Sequence, residues 1–207
     1  MNVNYSARSS FAIERRRSRK GIAFTDCPVG RLVYHAERGE SLFMVGAEDA
    51  TFARIEAMLH AMGTTIHRCG APGMGTRMKF VNNFIALSIS TICAEGIALG
   101  TKLGLDIDLI HDVTADTTAR NAQLHLWFPA KVLKGDIEPG FTTDLAFKDM
   151  GLAIAAAADV RMGLPVGSAA YAAYGAARSS KYAAKDCSAI LEFACESAGI
   201  DTPRLQR

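Results

Sequence analysis

The chain has 207 residues, is 49% hydrophobic and carries a formal net charge of +2. That is enough apolar content for one large domain or two small ones, and too little charge to leave an electrostatic footprint for nucleic acid. Five cysteines, at 27, 69, 93, 187 and 195, include no C-x-x-C pair. This odd, scattered set argues against a disulfide framework or a zinc site and suits reduced thiols in a cytoplasm.

Residues 1–19 are polar and basic without an apolar core, so they do not read as a secretory signal. The run Arg15-Arg16-Arg17-Ser18-Arg19-Lys20 follows Glu14 and lacks interleaved aromatics, which predicts a solvated helix end. Strands are then expected over 22–29, 41–46 and 64–69. A helix over 48–62 carries acids in its first turn and stops at Gly63, a candidate left-handed terminator. Strand, helix, strand in that order indicates α/β architecture. Three strands and one helix bury too little to stand alone, so this part reads as the tail of a larger sheet.

The turn-rich stretch Gly70-Ala71-Pro72-Gly73-Met74-Gly75 changes the character of the chain. Beyond it the pattern predicts only helices, over about 76–103, 106–118, 121–134, 142–162, 166–182 and 186–199. Alanine-rich segments at 153–158 and 169–177 suit close helix packing. The longest apolar stretch, 84–104, is interrupted by Ser88, Ser90, Thr91, Glu95 and Lys102, so no membrane span is predicted.

Within the first long helix the run Lys79-Phe80-Val81-Asn82-Asn83 sets a cation and two amides where the pattern asks for apolar residues. Spacings of three and four put Lys79, Asn82 and Asn83 near one face. Gly70–Gly75 leads into the helix N-terminus, where backbone N–H groups could receive an anion. Asp26-Cys27-Pro28-Val29-Gly30-Arg31 places a carboxylate, a glycine and an arginine at the C-terminal end of a strand, the usual ligand edge of an α/β sheet. Lys148-Asp149 is a charged pair in another apolar helix. His35, His60, His67, His111 and His125 show no paired spacing, and Cys27 and Trp127 read as packing residues.

These clusters, in this order, resemble the β-hydroxyacid dehydrogenase family, which includes 3-hydroxyisobutyrate and tartronate-semialdehyde enzymes. The family's substrate motif D-x-P-V-S-G-G is matched in part by Asp26–Arg31. Its catalytic motif G-x-x-G-x-G-x-x-x-K-x-x-N-N is matched by Gly70, Gly73, Gly75, Lys79, Asn82 and Asn83. Its cofactor motif is matched by Pro139-Gly140-Phe141 and by Lys148-Asp149-Met150-Gly151-Leu152-Ala153. The resemblance runs from about 21 to 199 and is closest to the 3-sulfolactaldehyde reductase branch, through Pro28–Arg31, Pro72–Gly75 and the segment Trp127 with Lys131–Asp136. The branch's serine seven residues after the lysine is Ala86 here, and the small polar residues after its arginine are Leu32 and Val33.

The resemblance implies an α/β remnant, the C-terminal part of a Rossmann-type domain over 1–72, followed by an all-α substrate and dimerisation domain over 73–207. It implies hydride transfer between NAD or NADP and a short 3-hydroxy acid or its semialdehyde. Lys79 would be the acid/base, its pKa lowered by desolvation. Arg31, Gly30, Asn82 and Asn83 would hold the substrate and Lys148 the cofactor, with no metal. A soluble cytoplasmic homodimer or homotetramer is expected, with no nucleic-acid or membrane partner. The G-x-G-x-x-G loop that grips the pyrophosphate in this family is not in the chain. A truncated, inactive helical dimerisation module with a relict site is therefore the competing expectation.

Overall fold

A computed structural model describes residues 22–206. The basic run at 15–20 lies outside the described residues. The chain divides into two compact units, one formed by the residues up to 83 together with 152–163, the other by 84–151 with the residues from 164 onward.

The first unit holds a three-stranded sheet in the order β1-β2-β3. β1 is only Val29–Gly30, preceded by an isolated bridge between Asp26 and Gly46. The strand expected over 22–29 thus pairs only in part, with Pro28 unable to donate to a ladder. A short helix α1, Val33–Glu37, follows; the sequence reading missed it, and at five residues it is too short for periodicity to register. β2, Ser41–Gly46, runs antiparallel to β1 and parallel to β3. Between them α2, Asp49–Met62, makes the crossover that parallel pairing requires. β3 spans Gly63–Gly70, so Gly63 opens a strand in extended geometry (φ −162°) and does not end the helix in a left-handed one.

Phe43 and Val45 of β2 and Ala47 pack with Phe52 and Leu59 of α2, and Cys27, Ile55 and Ile66 complete this core. Burial raises the Cys27 thiol to about 11, with the Asp26 charge adding to the effect, as suits a packing residue.

α3, Met74–Lys102, is the longest element at 29 residues. Contrary to expectation, it is long and apolar enough to cross a bilayer by length and composition alone. Half of its most apolar window is buried inside the fold, as in the core helix of a globular domain. In the second unit its residues Leu87, Ala94 and Ile97 meet Phe128, Leu133, Met150, Tyr174 and Leu191 in one core.

α4, Ile107–Ala115, is capped by Asp106, whose carboxylate accepts from the N–H groups of Asp108 and Leu109. The helix expected over 121–134 is instead a π-helix, Gln123–Trp127, one α-turn, Phe128–Ala130, and a 3₁₀ turn, Val132–Lys134. Pro129 withholds an N–H there, and Gly135 closes the segment at φ +79°.

α5, Thr143–Asp159, and α6, Pro165–Arg178, follow. Phe147 and Tyr171 stack at 4.3 Å with their rings tilted by 16°, Tyr171 lying over Gly151 and Phe147 over Gly175. Ala146, Ala170 and Ala177 are buried in the same core, the close packing their small size predicts. A 3₁₀ turn, Cys187–Ala189, leads into α7, Ile190–Ser197.

Candidate active site

The catalytic stretch sits where β3 hands over to α3. Gly70 and Gly73 take φ of +117° and +92°, values that strain any side chain, so the turn is built for glycine. The helix N-terminus that follows was expected to present backbone N–H groups to a ligand anion. The protein supplies that anion itself: Asp26 Oδ1 accepts from Gly73 N and Oδ2 from Thr76 N, each at 2.5 Å. Asp26 is buried, and a Cβ on Gly46 would overlap its Oδ1. A Cβ on Gly75 would overlap the Met44 carbonyl oxygen. Both glycines are therefore requirements of close approach between β2 and the start of α3.

Lys79, half-buried, donates from Nζ to the carbonyl of Val29 at 2.9 Å. This bond brings the lysine to β1 and to the backbone beside Gly30, which is itself buried. Asn82 Nδ2 donates to Asn83 Oδ1 at 3.0 Å, so the two amides orient each other; Asn83 is buried and Asn82 exposed.

Arg31 is held differently. Its backbone is left-handed (φ +66°) at a position where the family motif carries glycine. Its guanidinium donates to the Glu40 carbonyl and, at 3.1 Å each, to the hydroxyls of Thr64 and Thr65. A groove of about 640 Å³ on this unit is lined by Leu42, Met44, Met74, Arg77, Met78 and Asn82 among others, but by neither Lys79 nor Arg31.

In the second unit Lys148 pairs with Asp149 at 2.5 Å and stays 56% exposed. The loop before its helix is anchored by a residue the sequence reading did not single out. Asp186, fully buried, accepts from Gly140 N at 3.1 Å and Phe141 N at 3.3 Å through Oδ2, and from Ser188 N at 3.0 Å through Oδ1. The Asp-x-Ser order gives away the local cap; the reach across 46 residues to Gly140 is tertiary and has no sequence signal.

A family model described as the NAD-binding domain of NADP-dependent 3-hydroxyisobutyrate dehydrogenase matches residues 73–194, more than half of the chain. The chain belongs to the β-hydroxyacid dehydrogenase family. A second model, the NAD-binding domain of 6-phosphogluconate dehydrogenase, matches residues 2–70. Among curated relatives of this family member, the 3-sulfolactaldehyde reductase of Escherichia coli (strain K12) is 36% identical over 181 residues, 87% of this chain and 61% of that protein. The mitochondrial 3-hydroxyisobutyrate dehydrogenase of Homo sapiens is 34% identical over 84% of this chain and 53% of its own length. A solved structure of Mycobacterium tuberculosis 3-hydroxyisobutyrate dehydrogenase with L-serine superposes with a TM-score of 0.84 at 29% identity, covering 91% of this chain and 66% of that one. This β-hydroxyacid dehydrogenase chain thus spans about three-fifths of the length of the first of these relatives.

Proposed function

We propose that this chain is the substrate-handling part of an NAD(P)-dependent oxidoreductase acting on a short 3-hydroxy acid or its semialdehyde, of the 3-sulfolactaldehyde or 3-hydroxyisobutyrate class. In this reading residues 1–72 are the C-terminal part of a dinucleotide-binding domain and 73–207 a helical substrate domain. The observation that carries it is the half-buried Lys79 ammonium, directed to the Val29 carbonyl on the helix turn after a closed N-terminus.

Reduction of an aldehyde develops negative charge on its oxygen, and an ammonium within hydrogen-bond reach stabilises that charge and donates the proton. Lys79 exchanges its Val29 acceptor for the substrate oxygen. Asn83 fixes the lysine side of the helix, with Asn82 and the Gly30 backbone facing the substrate. Arg31 offers a planar fork suited to a carboxylate or sulfonate. The nicotinamide cofactor supplies the hydride. Lys148, exposed and oriented by Asp149, fits a role at a cofactor hydroxyl or phosphate. The first turn of α3 does not fit a pyrophosphate, because Asp26 occupies its N–H groups. We place the protein in the cytoplasm on the strength of its five free cysteines.

The same chain is read as a homodimer or homotetramer through its helical part. Ile85, Ile92 and Leu99 stand on α3 at heptad spacing and are 50%, 58% and 61% exposed. This seam is also what favours the alternative, a helical association module with a relict site.

Calorimetric titration of the chain with 3-sulfolactate and 3-hydroxyisobutyrate separates the two readings without requiring turnover. The expected result is saturable binding of one acid by the wild type, weakened at least tenfold in Lys79→Ala. Binding unaffected by Lys79→Ala sinks the catalytic reading, and no binding of either acid favours the association module.

A further inference from the structure

Asp26 is a buried carboxylate whose two oxygens are both committed to backbone N–H groups at the start of α3. Thr76, which donates to Oδ2, lies three residues before Lys79, so the two are stacked on one helix face. Asp26 likewise lies three residues before Val29, whose carbonyl receives the Lys79 ammonium. The segment 26–29 and the helix turn 76–79 are therefore cross-linked at both ends, once by the carboxylate and once by the lysine. Gly46 and Gly75 make the room the carboxylate occupies: a Cβ on the first would overlap Oδ1, and one on the second would approach Oδ2 to 3.1 Å.

We propose that Asp26 is the positioning residue of Lys79, fixing the turn of α3 against β1 and cancelling the positive end of the helix on which the lysine stands. The proposal rests on Lys79 being the reacting group, and it assigns Asp26 no contact with substrate. A helix N-terminus bears roughly half a positive charge, which disfavours a cation close by, and a carboxylate bound to its N–H groups offsets this. Asp26 does so from inside the fold, where solvent screens least. The ionisable groups on the adjoining stretches of chain are Cys27 and Arg31 on its own segment, His67, Arg68 and Cys69 on β3, Arg77 and Lys79 at the start of α3, and Glu48 with Asp49 at the start of α2. Arg68 is paired with Asp49. Cys27 and Cys69 are held as neutral thiols by burial, reinforced by the Asp26 charge.

The test reads the lysine directly. Lysines of the full chain are reductively methylated with ¹³C-formaldehyde, the Lys79 resonance is assigned by its absence in Lys79→Arg, and its midpoint is followed with pH in the wild type and in Asp26→Asn. The expected result is a Lys79 midpoint lower by about 0.2 to 0.7 unit in Asp26→Asn, the scale of a helix-end charge effect. Lys102, which donates to the Ala198 carbonyl in the other unit, serves as the control and keeps its midpoint. A Lys79 midpoint equal to wild type in a folded Asp26→Asn overturns the proposal, leaving Asp26 a purely structural cap. Should Asp26→Asn fail to fold, the wild type decides through acid titration. The amide signals of Gly73 and Thr76 and the Lys79 methyl signal must then move with one shared midpoint, and separate midpoints or a static Lys79 signal overturn the coupling. None of these readouts involves substrate, so this proposal and the acid/base role of Lys79 can each fail alone.

Discussion

Truncating Asp186 to alanine removes the acceptor for three backbone donors at once, a buried one at Ser188 and two part-buried ones at Gly140 and Phe141. Gly140 N at 3.1 Å and Phe141 N at 3.3 Å share one oxygen, and Ser188 N at 3.0 Å takes the other. A buried donor left unsatisfied costs about 1–3 kcal/mol, and the two sharing an oxygen count for little more than one bond. The gross loss is then about 4 kcal/mol, offset in part because the variant no longer buries a carboxylate. We expect Asp186→Ala to lower stability by about 3 kcal/mol. Asp186→Asn keeps one carbonyl oxygen but turns an amide N–H₂ toward a donor, and is expected to cost about half as much. Urea unfolding followed by circular dichroism gives both values from the midpoint and slope. A loss below about 1 kcal/mol for the alanine variant, or equal losses for both, refutes the view that this carboxylate anchors the Pro139–Phe141 loop.

Three further outcomes follow from two other parts of the molecule. The Cys27 thiol, raised from 9.0 to about 11, has about a hundredfold less thiolate than an unperturbed cysteine near neutral pH. Iodoacetamide labelling quantified by peptide mass spectrometry is expected to lag by that factor in the native state and to recover in urea; native labelling at the free-cysteine rate contradicts the burial. As pH rises from 9.0 through about 11, the same raised value makes the thiol's contribution to stability fall, since the unfolded chain loses its proton first. Leu99→Glu is expected to convert an assembled chain to a monomer in light scattering after size exclusion. An unchanged mass places the interface away from the exposed α3 seam.

Much of the fold was legible because its elements are long or strongly patterned. β2 reads as a continuous apolar run because a strand covered on both faces needs one, and α2 and α3 show helical periodicity over 14 and 29 residues. The failures have local causes. Residues 22–29 look like one strand, but pairing there is partial and the Asp26 carboxylate is turned to another task. Gly63 looks like a helix terminator, yet its freedom serves close approach: a Cβ there would overlap the Ser41 carbonyl oxygen. Residues 121–134 carry a helical pattern, while Asn121 caps its start through Leu124 N and Pro129 withholds an N–H within it, and the segment forms three short pieces.

The candidate site was legible in its residue types and less so in its wiring. Lys79, Asn82 and Asn83 share a face by spacing alone. That the helix N-terminus ahead of them is already filled could not be read, because Asp26 and Gly73 are 47 residues apart and only the fold joins them. Asp186 escaped notice for the same reason.

Arg31 sits on a left-handed backbone, and the bonds from its guanidinium to Glu40, Thr64 and Thr65 hold it there. An acid group that recruits this guanidinium trades existing partners for new ones, so its gain is a difference between two sets of bonds. Such an exchange contributes little to affinity for acids in general and much to the choice between them, because only an acceptor matching the planar fork recovers what the threonines give up. In the proposed substrate-binding role, arginine at a glycine position would act as a threshold that the ligand must exceed.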